Sequence, residues 1–183
     1  MARAVPNRLA EFTAGRAAAR CAMAALGLPH TAIPAGQDRA PVWPDGVVGS
    51  IAHADGICAA IVARLGSVWA VGVDLEPGVA LDPDLWPQVC TMPEQAFLAS
   101  QPKEFRGHFA KLIFSAKESA YKCIYPHIQT VLGFDAMQIS IDLSRHQFTA
   151  TLCQPVGRWA KGDQLTGGYG RANGLIVTAM VLR

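Results

Sequence analysis

Two hydrophobic rhythms alternate along the chain. From 7 to 26, Leu9, Phe12, Ala17, Cys21, Ala25 and Leu26 fall near helical spacing in an alanine-rich stretch, with Arg8, Arg16 and Arg20 on the polar side. Asn7 is placed to cap this helix, and Gly27-Leu28-Pro29 supplies its stop. Residues 29–46 are rich in Pro, Gly and Asp and predict a structured loop. Two short strands are then expected at 47–51 and 57–64, separated by the turn His53-Ala54-Asp55-Gly56.

After a break at Gly66-Ser67, the β-branched run 68–75 predicts a buried strand, and 77–84 a loop. A helix begins near Pro93-Glu94. A longer one runs from 105 to 124, with Phe109, Leu112, Ile113, Ala116, Ala120 and Ile124 as its buried stripe. The tail predicts strands at 137–143, 147–152 and 175–182, with a Gly-rich loop at 167–170. The order of elements predicts an α+β chain of two unequal halves, 1–66 and 67–183, forming one compact unit. No internal sequence repeat is evident.

Composition narrows the class. At 183 residues and 51% hydrophobic the chain can bury a substantial core and lacks a disordered signature. A net charge of +2 is too weak to indicate nucleic acid; it would suit a phosphate-rich ligand or an acidic protein partner, but on charge alone a solvated surface with a small excess is the preferred reading. The five cysteines are odd in number and form no C-x-x-C pair, so neither a zinc knuckle nor a redox dithiol is indicated. A reduced, cytoplasmic protein is the expectation. The N-terminal stretch carries charges throughout and no apolar core of a signal peptide, and the apolar runs 57–63 and 175–182 are too short to span a bilayer.

Several groups of residues carry chemistry. In Gly72-Val73-Asp74-Leu75-Glu76, strand periodicity puts Asp74 and Glu76 on one face at the end of an apolar run. A divalent cation would relieve their repulsion, and an all-oxygen pair favours Mg²⁺ or Ca²⁺; two acids at an ordinary exposed strand end is the competing reading. In Phe114-Ser115-Ala116-Lys117-Glu118-Ser119-Ala120-Tyr121-Lys122, Glu118 and Lys122 share a helix face, with Lys111 and Ser115 on the same side. By spacing alone this is a wet ion pair worth about 0.3–0.5 kcal/mol. His53, after Gly49-Ser50-Ile51-Ala52, is placed to donate to a phosphate or simply to sit in a turn, and Arg8, Arg16 and Arg39 are either phosphate grips or solvated cations. The Walker, dinucleotide-binding and nucleophile-elbow glycine motifs are all missing from the sequence.

Taken in order, the segments RLAEFTAGRAAARCAMAALG (8–27), PVWPDGVVGSIAH (41–53), VGVDLEP (71–77), FSAKESAYK (114–122) and LGF (132–134) resemble the phosphopantetheinyl transferases of the surfactin and enterobactin synthetase type. The pairing of VGVDLEP with FSAKESAYK at this distance makes the resemblance specific, and it spans about two-thirds of the chain.

The resemblance implies a pseudo-twofold fold of two similar α/β halves holding coenzyme A between them. It implies Mg²⁺-dependent transfer of 4′-phosphopantetheine from coenzyme A to a serine of an apo acyl or peptidyl carrier protein, releasing adenosine 3′,5′-bisphosphate. Carried over by position, Asp74, Glu76 and Glu118 hold the cation, Glu118 is the base toward the serine, directly or through water, and Lys122 stabilises the leaving group. Arg8, Arg16, Arg39 and His53 match positions that bind the 3′-phosphate and adenine end. Leu132 lies where the pantetheine arm passes, and Ala52 stands where the family often has Ser or Thr, with Ser50 or backbone amides as substitutes. Clients would be carriers of polyketide, nonribosomal peptide or siderophore synthesis, met by the loop 77–93 and the face after Tyr125. A monomer follows if each half supplies one side of the cleft. A non-catalytic binder of coenzyme A or a carrier protein on the same fold is the alternative. A Mg²⁺-dependent phosphohydrolase is a third, for which no water-positioning group can be named.

Overall fold

The computed structural model describes residues 6–66 and 68–183, and side chains from Leu9 onward. Helix α1 (Pro6–Ala25) begins just before Asn7, whose capping role falls outside the described side chains. It ends where the sequence predicts: Gly27 takes φ +66°, Leu28 N–H donates to Met23 O at 3.0 Å and Gly27 N–H to Ala24 O at 2.9 Å. This pair of bonds is a Schellman cap, which needs a residue that tolerates the left-handed region.

The loop that follows leads into an antiparallel hairpin, β1 (Val47–Ala54) and β2 (Ile57–Arg64). The predicted turn at 53–56 contracts to Asp55-Gly56, both at positive φ, which is the two-residue turn that matches strand twist. His53 is therefore a strand residue, paired with Cys58. Helix α1 packs on this hairpin, with Ala19, Met23 and Ile33 forming a small core alongside Ile51, Ala60 and Val62.

The second half is built on a five-stranded antiparallel sheet of order β3-β7-β6-β5-β4, from β3 (Ala70–Pro77), β4 (Met137–Asp142), β5 (Gln147–Leu152), β6 (Gln164–Ala172) and β7 (Leu175–Leu182). Between β3 and β4 come a short turn α2 (Trp86–Val89), α3 (Met92–Ser100) and the long α4 (Lys103–Ile128). α3 starts from a capping box in which Thr91 and Glu94 satisfy each other's backbone N–H groups. The expected stripe of α4 is buried as read, except that Phe109 is half-buried, and the helix extends four residues past Ile124, through Pro126, to a left-handed cap at Gln129.

One expectation fails. The Gly-rich segment 167–170 lies within β6, between β5 and β7, and is not a loop. Packing explains the glycine: a Cβ on Gly167 would lie 2.2 Å from the Phe148 ring and 2.7 Å from the Ala179 carbonyl, so only a hydrogen fits where these strands cross.

The main core lies between this sheet and α4, and a second cluster of Ala52, Val73, Leu75 and Leu175 joins the hairpin to the sheet. β1 and β3 meet side by side without a shared ladder; Val73 N–H donates to the buried Ser50 Oγ at 3.1 Å instead. The halves are thus a helix on a two-stranded sheet and a helix on a five-stranded one, meeting along β1 and β3. Among the described residues no helix is long and apolar enough to cross a membrane.

Candidate active site

Gly72 sets the geometry. A Cβ at this position would sit 2.0 Å from the Ser119 carbonyl oxygen and 2.6 Å from Cys123 N, so β3 lies directly against the backbone of α4. The next residues of β3 on that face are Asp74 and Glu76, and opposite them α4 presents Lys111, Ser115, Glu118 and Lys122. Ser115 Oγ donates to Asp74 Oδ2 at 2.8 Å and Lys122 Nζ donates to Asp74 Oδ1 at 2.5 Å. Lys111 Nζ donates to Glu76 Oε2 at 3.0 Å.

These bonds revise two readings from the sequence. Lys122 crosses to β3 and pairs with Asp74, so it is not half of an exposed ion pair with Glu118 on the helix surface. Asp74 is buried, with only 5% of its side chain exposed, and both its oxygens are held from α4, which a loose acid at a strand end would not be. Helical spacing places Ser115 and Lys111 on the side of α4 that they occupy. Their partners could be known only once β3 was laid against α4.

Asp74, Glu76, Glu118 and Lys122 line a cavity of about 720 Å³ together with Glu11, Phe12, Arg16, Arg39 and His53 from the first half. Arg16 is anchored: its Nε donates to Ile33 O at 3.2 Å and its guanidinium lies 4.2 Å from the Phe12 ring centroid. Its buried Nη2 has no hydrogen-bond partner among the described residues, a donor left over for an anion. His53 Nδ1 lies 3.7 Å from Glu11 Oε2 at the same cavity. The side chain of Arg8 lies outside the described ones. Ser50, suggested as a substitute for the hydroxyl missing at Ala52, lines a neighbouring cavity, where its oxygen accepts from Val73.

Glu118 stands between two spaces. It also lines a smaller cavity of about 250 Å³ with Tyr121, Leu132 and Phe134, so Leu132 is adjacent to Glu118 but outside the larger cavity. Burial pushes the Glu118 carboxyl above its ordinary range; Lys122 opposes this, while Asp74 and Glu76 add to it. A carboxylate with a raised pKa is a better proton acceptor than an exposed one.

The three carboxylates are a hard, all-oxygen donor set of the kind that suits Mg²⁺. As they stand, Asp74 and Glu76 are neutralised by lysine ammonium groups, and among the described residues no three His, Cys, Asp or Glu side chains converge into a metal cluster. The chemistry of the donors fits a magnesium ion, and the ammonium groups mark how much positive charge this pocket demands.

The motif's other lysine has a role that the sequence does not disclose. Lys117 is buried and donates to Glu94 Oε2 at 2.8 Å, Val89 O at 2.8 Å and Phe134 O at 2.7 Å. Glu94 in turn accepts from Ile139 N and Thr91 N, each at 2.6 Å. This hub ties α2, α3, α4 and β4 together beside Glu118. No helical spacing relates Lys117 to Glu94, so the sequence gives no sign of it.

Residues 1–63 match the model of the 4′-phosphopantetheinyl transferase N-terminal domain, and 70–172 match that of the 4′-phosphopantetheinyl transferase superfamily. The chain is 40% identical over 186 residues to 4′-phosphopantetheinyl transferase Svp of Streptomyces mobaraensis, covering 100% of this chain and 75% of that protein. It is 35% identical over 190 residues to 4′-phosphopantetheinyl transferase Npt of Nocardia iowensis, covering 98% and 85%. It is 38% identical over 136 residues to enterobactin synthase component D of Escherichia coli (strain K12), covering 73% and 62%.

Proposed function

The chain belongs to the 4′-phosphopantetheinyl transferase superfamily, and from that membership we propose that the cleft between its halves transfers 4′-phosphopantetheine from coenzyme A to a serine of an apo carrier protein. The observation that carries the reading is a single cavity. It brings Asp74, Glu76, Glu118 and Lys122 of one half together with Arg16, Arg39 and His53 of the other.

Coenzyme A presents a 3′-phosphate at one end and a pyrophosphate at the other end of its nucleotide. Among the described side chains of the first half, Arg16, with a donor to spare, and Arg39 and His53 are available at the cavity for the 3′-phosphate and adenine. Asp74, Glu76 and Glu118 would hold Mg²⁺, which when bound supplies charge neutralisation on the pyrophosphate.

In the transfer, the carrier serine oxygen forms a bond to the phosphorus that bears the pantetheine. The bond from that phosphorus to the bridging oxygen breaks, and adenosine 3′,5′-bisphosphate leaves. Glu118 takes the serine proton, because a hydroxyl is a weak nucleophile until a positioned base removes it. Lys122 faces the leaving phosphate and stabilises the charge that develops there. The smaller cavity at Leu132 opens beside Glu118 and is where the pantetheine arm would lie.

The carrier would be one of polyketide, nonribosomal peptide or siderophore assembly, approaching past the loop 77–93 or the face after Tyr125, and the enzyme would act as a cytoplasmic monomer. The reading is tested by incubating the protein with coenzyme A, Mg²⁺ and several apo carrier proteins and weighing each carrier intact. Transfer adds the mass of one phosphopantetheine; no gain on any carrier would overturn it and leave the non-catalytic binder as the better account.

A further inference from the structure

Among the described residues the first-half loop meets α4 at one side-chain hydrogen bond, Tyr125 to Asp38, next to a residue in an unusual conformation. Residues 36–40 form a tight turn: Gly36 N–H donates to Ala40 O at 2.8 Å, Arg39 N–H to Gly36 O at 3.0 Å, and Ala40 N–H to Asp38 Oδ1 at 3.0 Å. The flanking residues Ala35 and Pro41 form a bridge. Arg39 occupies the left-handed position of this turn at φ +69°. Glycine or asparagine is the usual occupant there, and a residue with a long side chain is held in place only when its surroundings determine it. The side chain kept at that cost lines the cavity shared with Asp74, Glu118 and Lys122.

Asp38 divides its carboxylate between two tasks. Oδ1 closes the turn, while Oδ2 accepts a hydrogen bond from the Tyr125 hydroxyl at 2.7 Å. Tyr125 sits on α4 three residues beyond Lys122, and its ring packs on Tyr121 at a centroid distance of 5.4 Å. Asp38, Arg39, Tyr121, Lys122 and Tyr125 all line a second cavity of about 580 Å³ that adjoins the first at Arg39 and Lys122.

We propose that Tyr125 is a positioning residue for coenzyme A binding: its hydrogen bond to Asp38 clasps the 36–40 turn to α4 and fixes Arg39 at the cleft. Arg39 belongs to the first half and Lys122 to the second, so the distance between two phosphate-binding cations depends on how firmly the turn is fastened to the helix. Asp38 lies in water, so the bond contributes little to global stability. Its role is geometric, and its loss appears in binding before folding. The Tyr125 hydroxyl also holds the Asp38 carboxyl below its ordinary range, as expected for an acceptor that stays ionised.

This inference rests on the reading of Arg39 as a coenzyme A contact, and the test separates the two. Tyr125→Phe removes the hydroxyl and leaves the ring. With the carrier protein saturating, the KM for coenzyme A should rise about three- to tenfold, the span set by one hydrogen bond, while kcat stays within about twofold. The melting temperature should be unchanged. Arg39→Ala should raise the same KM, and the double variant Arg39→Ala, Tyr125→Phe should be no worse than Arg39→Ala alone, because the clasp then has nothing to position. If Arg39→Ala raises KM and Tyr125→Phe does not, or if the two effects multiply, the clasp is wrong. If Arg39→Ala itself leaves KM unchanged, Arg39 is not a contact and the clasp falls with it.

Discussion

Lys122 donates to Asp74 across the junction of α4 and β3 at 2.5 Å, and not to Glu118 one helical turn before it. Helix spacing makes Glu118 the natural partner of Lys122, yet the close approach of β3 at Gly72 offers a buried carboxylate whose other oxygen is already held by Ser115. Burial, with two further acids nearby, leaves the Glu118 carboxyl above its ordinary range. One pairing thus leaves Asp74 held on both oxygens from α4 and Glu118 without a lysine partner on its own helix face.

Lys122→Ala removes both the partner of Asp74 and the cation assigned to the leaving phosphate. kcat for phosphopantetheine transfer should fall about 10²–10³-fold, the usual loss when one preorganised charge-stabilising donor is deleted. Initial rates at saturating coenzyme A and carrier check this; a kcat within twofold of the parent would remove Lys122 from the chemistry.

The carboxylate trio is tested by the cation itself. Excess EDTA should abolish transfer, and restoring Mg²⁺ should return it, while Asp74→Asn should remain inactive at any Mg²⁺ concentration. Undiminished transfer in EDTA would show that the three acids serve no catalytic cation.

Gly72→Ala should destabilise the fold although it adds one methyl group. Its Cβ would press on the backbone at Ser119 and Cys123, which cannot move aside as a flexible side chain can. A loss of about 3 kcal/mol is expected for such overpacking, a fall of about 6–12 °C in Tm for a chain of this size. A thermal melt within a degree of the parent would contradict the close approach of β3 and α4.

The Lys117–Glu94 pair is the most buried ion pair among the described residues, with side chains 3% and 1% exposed. Glu94→Ala strands the ammonium among carbonyl groups and should cost about 3–5 kcal/mol in denaturant titration. A change below 1 kcal/mol would mean that the carbonyls of Val89 and Phe134 suffice for Lys117 by themselves.

Local patterns carried most of the fold. The helix ending at Gly27, the hairpin at Asp55-Gly56 and the strands β3 and β7 follow from apolar period and turn chemistry, which are short-range signals. β6 departs from the expected loop because Gly167 answers to Phe148 and Ala179, neighbours distant in sequence, and a turn needs the same residue type for a different reason. The site divided in the same way. Strand periodicity put Asp74 and Glu76 on one face, and helix periodicity put Lys111, Ser115, Glu118 and Lys122 on another, but which acid meets which lysine depends on the packing of β3 against α4. Glu118 gained a chemical role only through the resemblance of its segment. Asp38 and Tyr125, separated by the hairpin, β3, α2, α3 and most of α4, leave no trace in any local pattern.

In the proposed transfer Glu118 takes the proton of the carrier serine in the cleft between the halves. Replacing it by glutamine keeps its shape and removes its capacity as a base. The direct measurement is the initial rate at which apo carrier gains one phosphopantetheine by intact mass, for the parent and for Glu118→Gln, at saturating coenzyme A and Mg²⁺. A loss of about 10²–10⁴-fold for Glu118→Gln is the predicted result; transfer by that variant at the parent's rate would contradict the account.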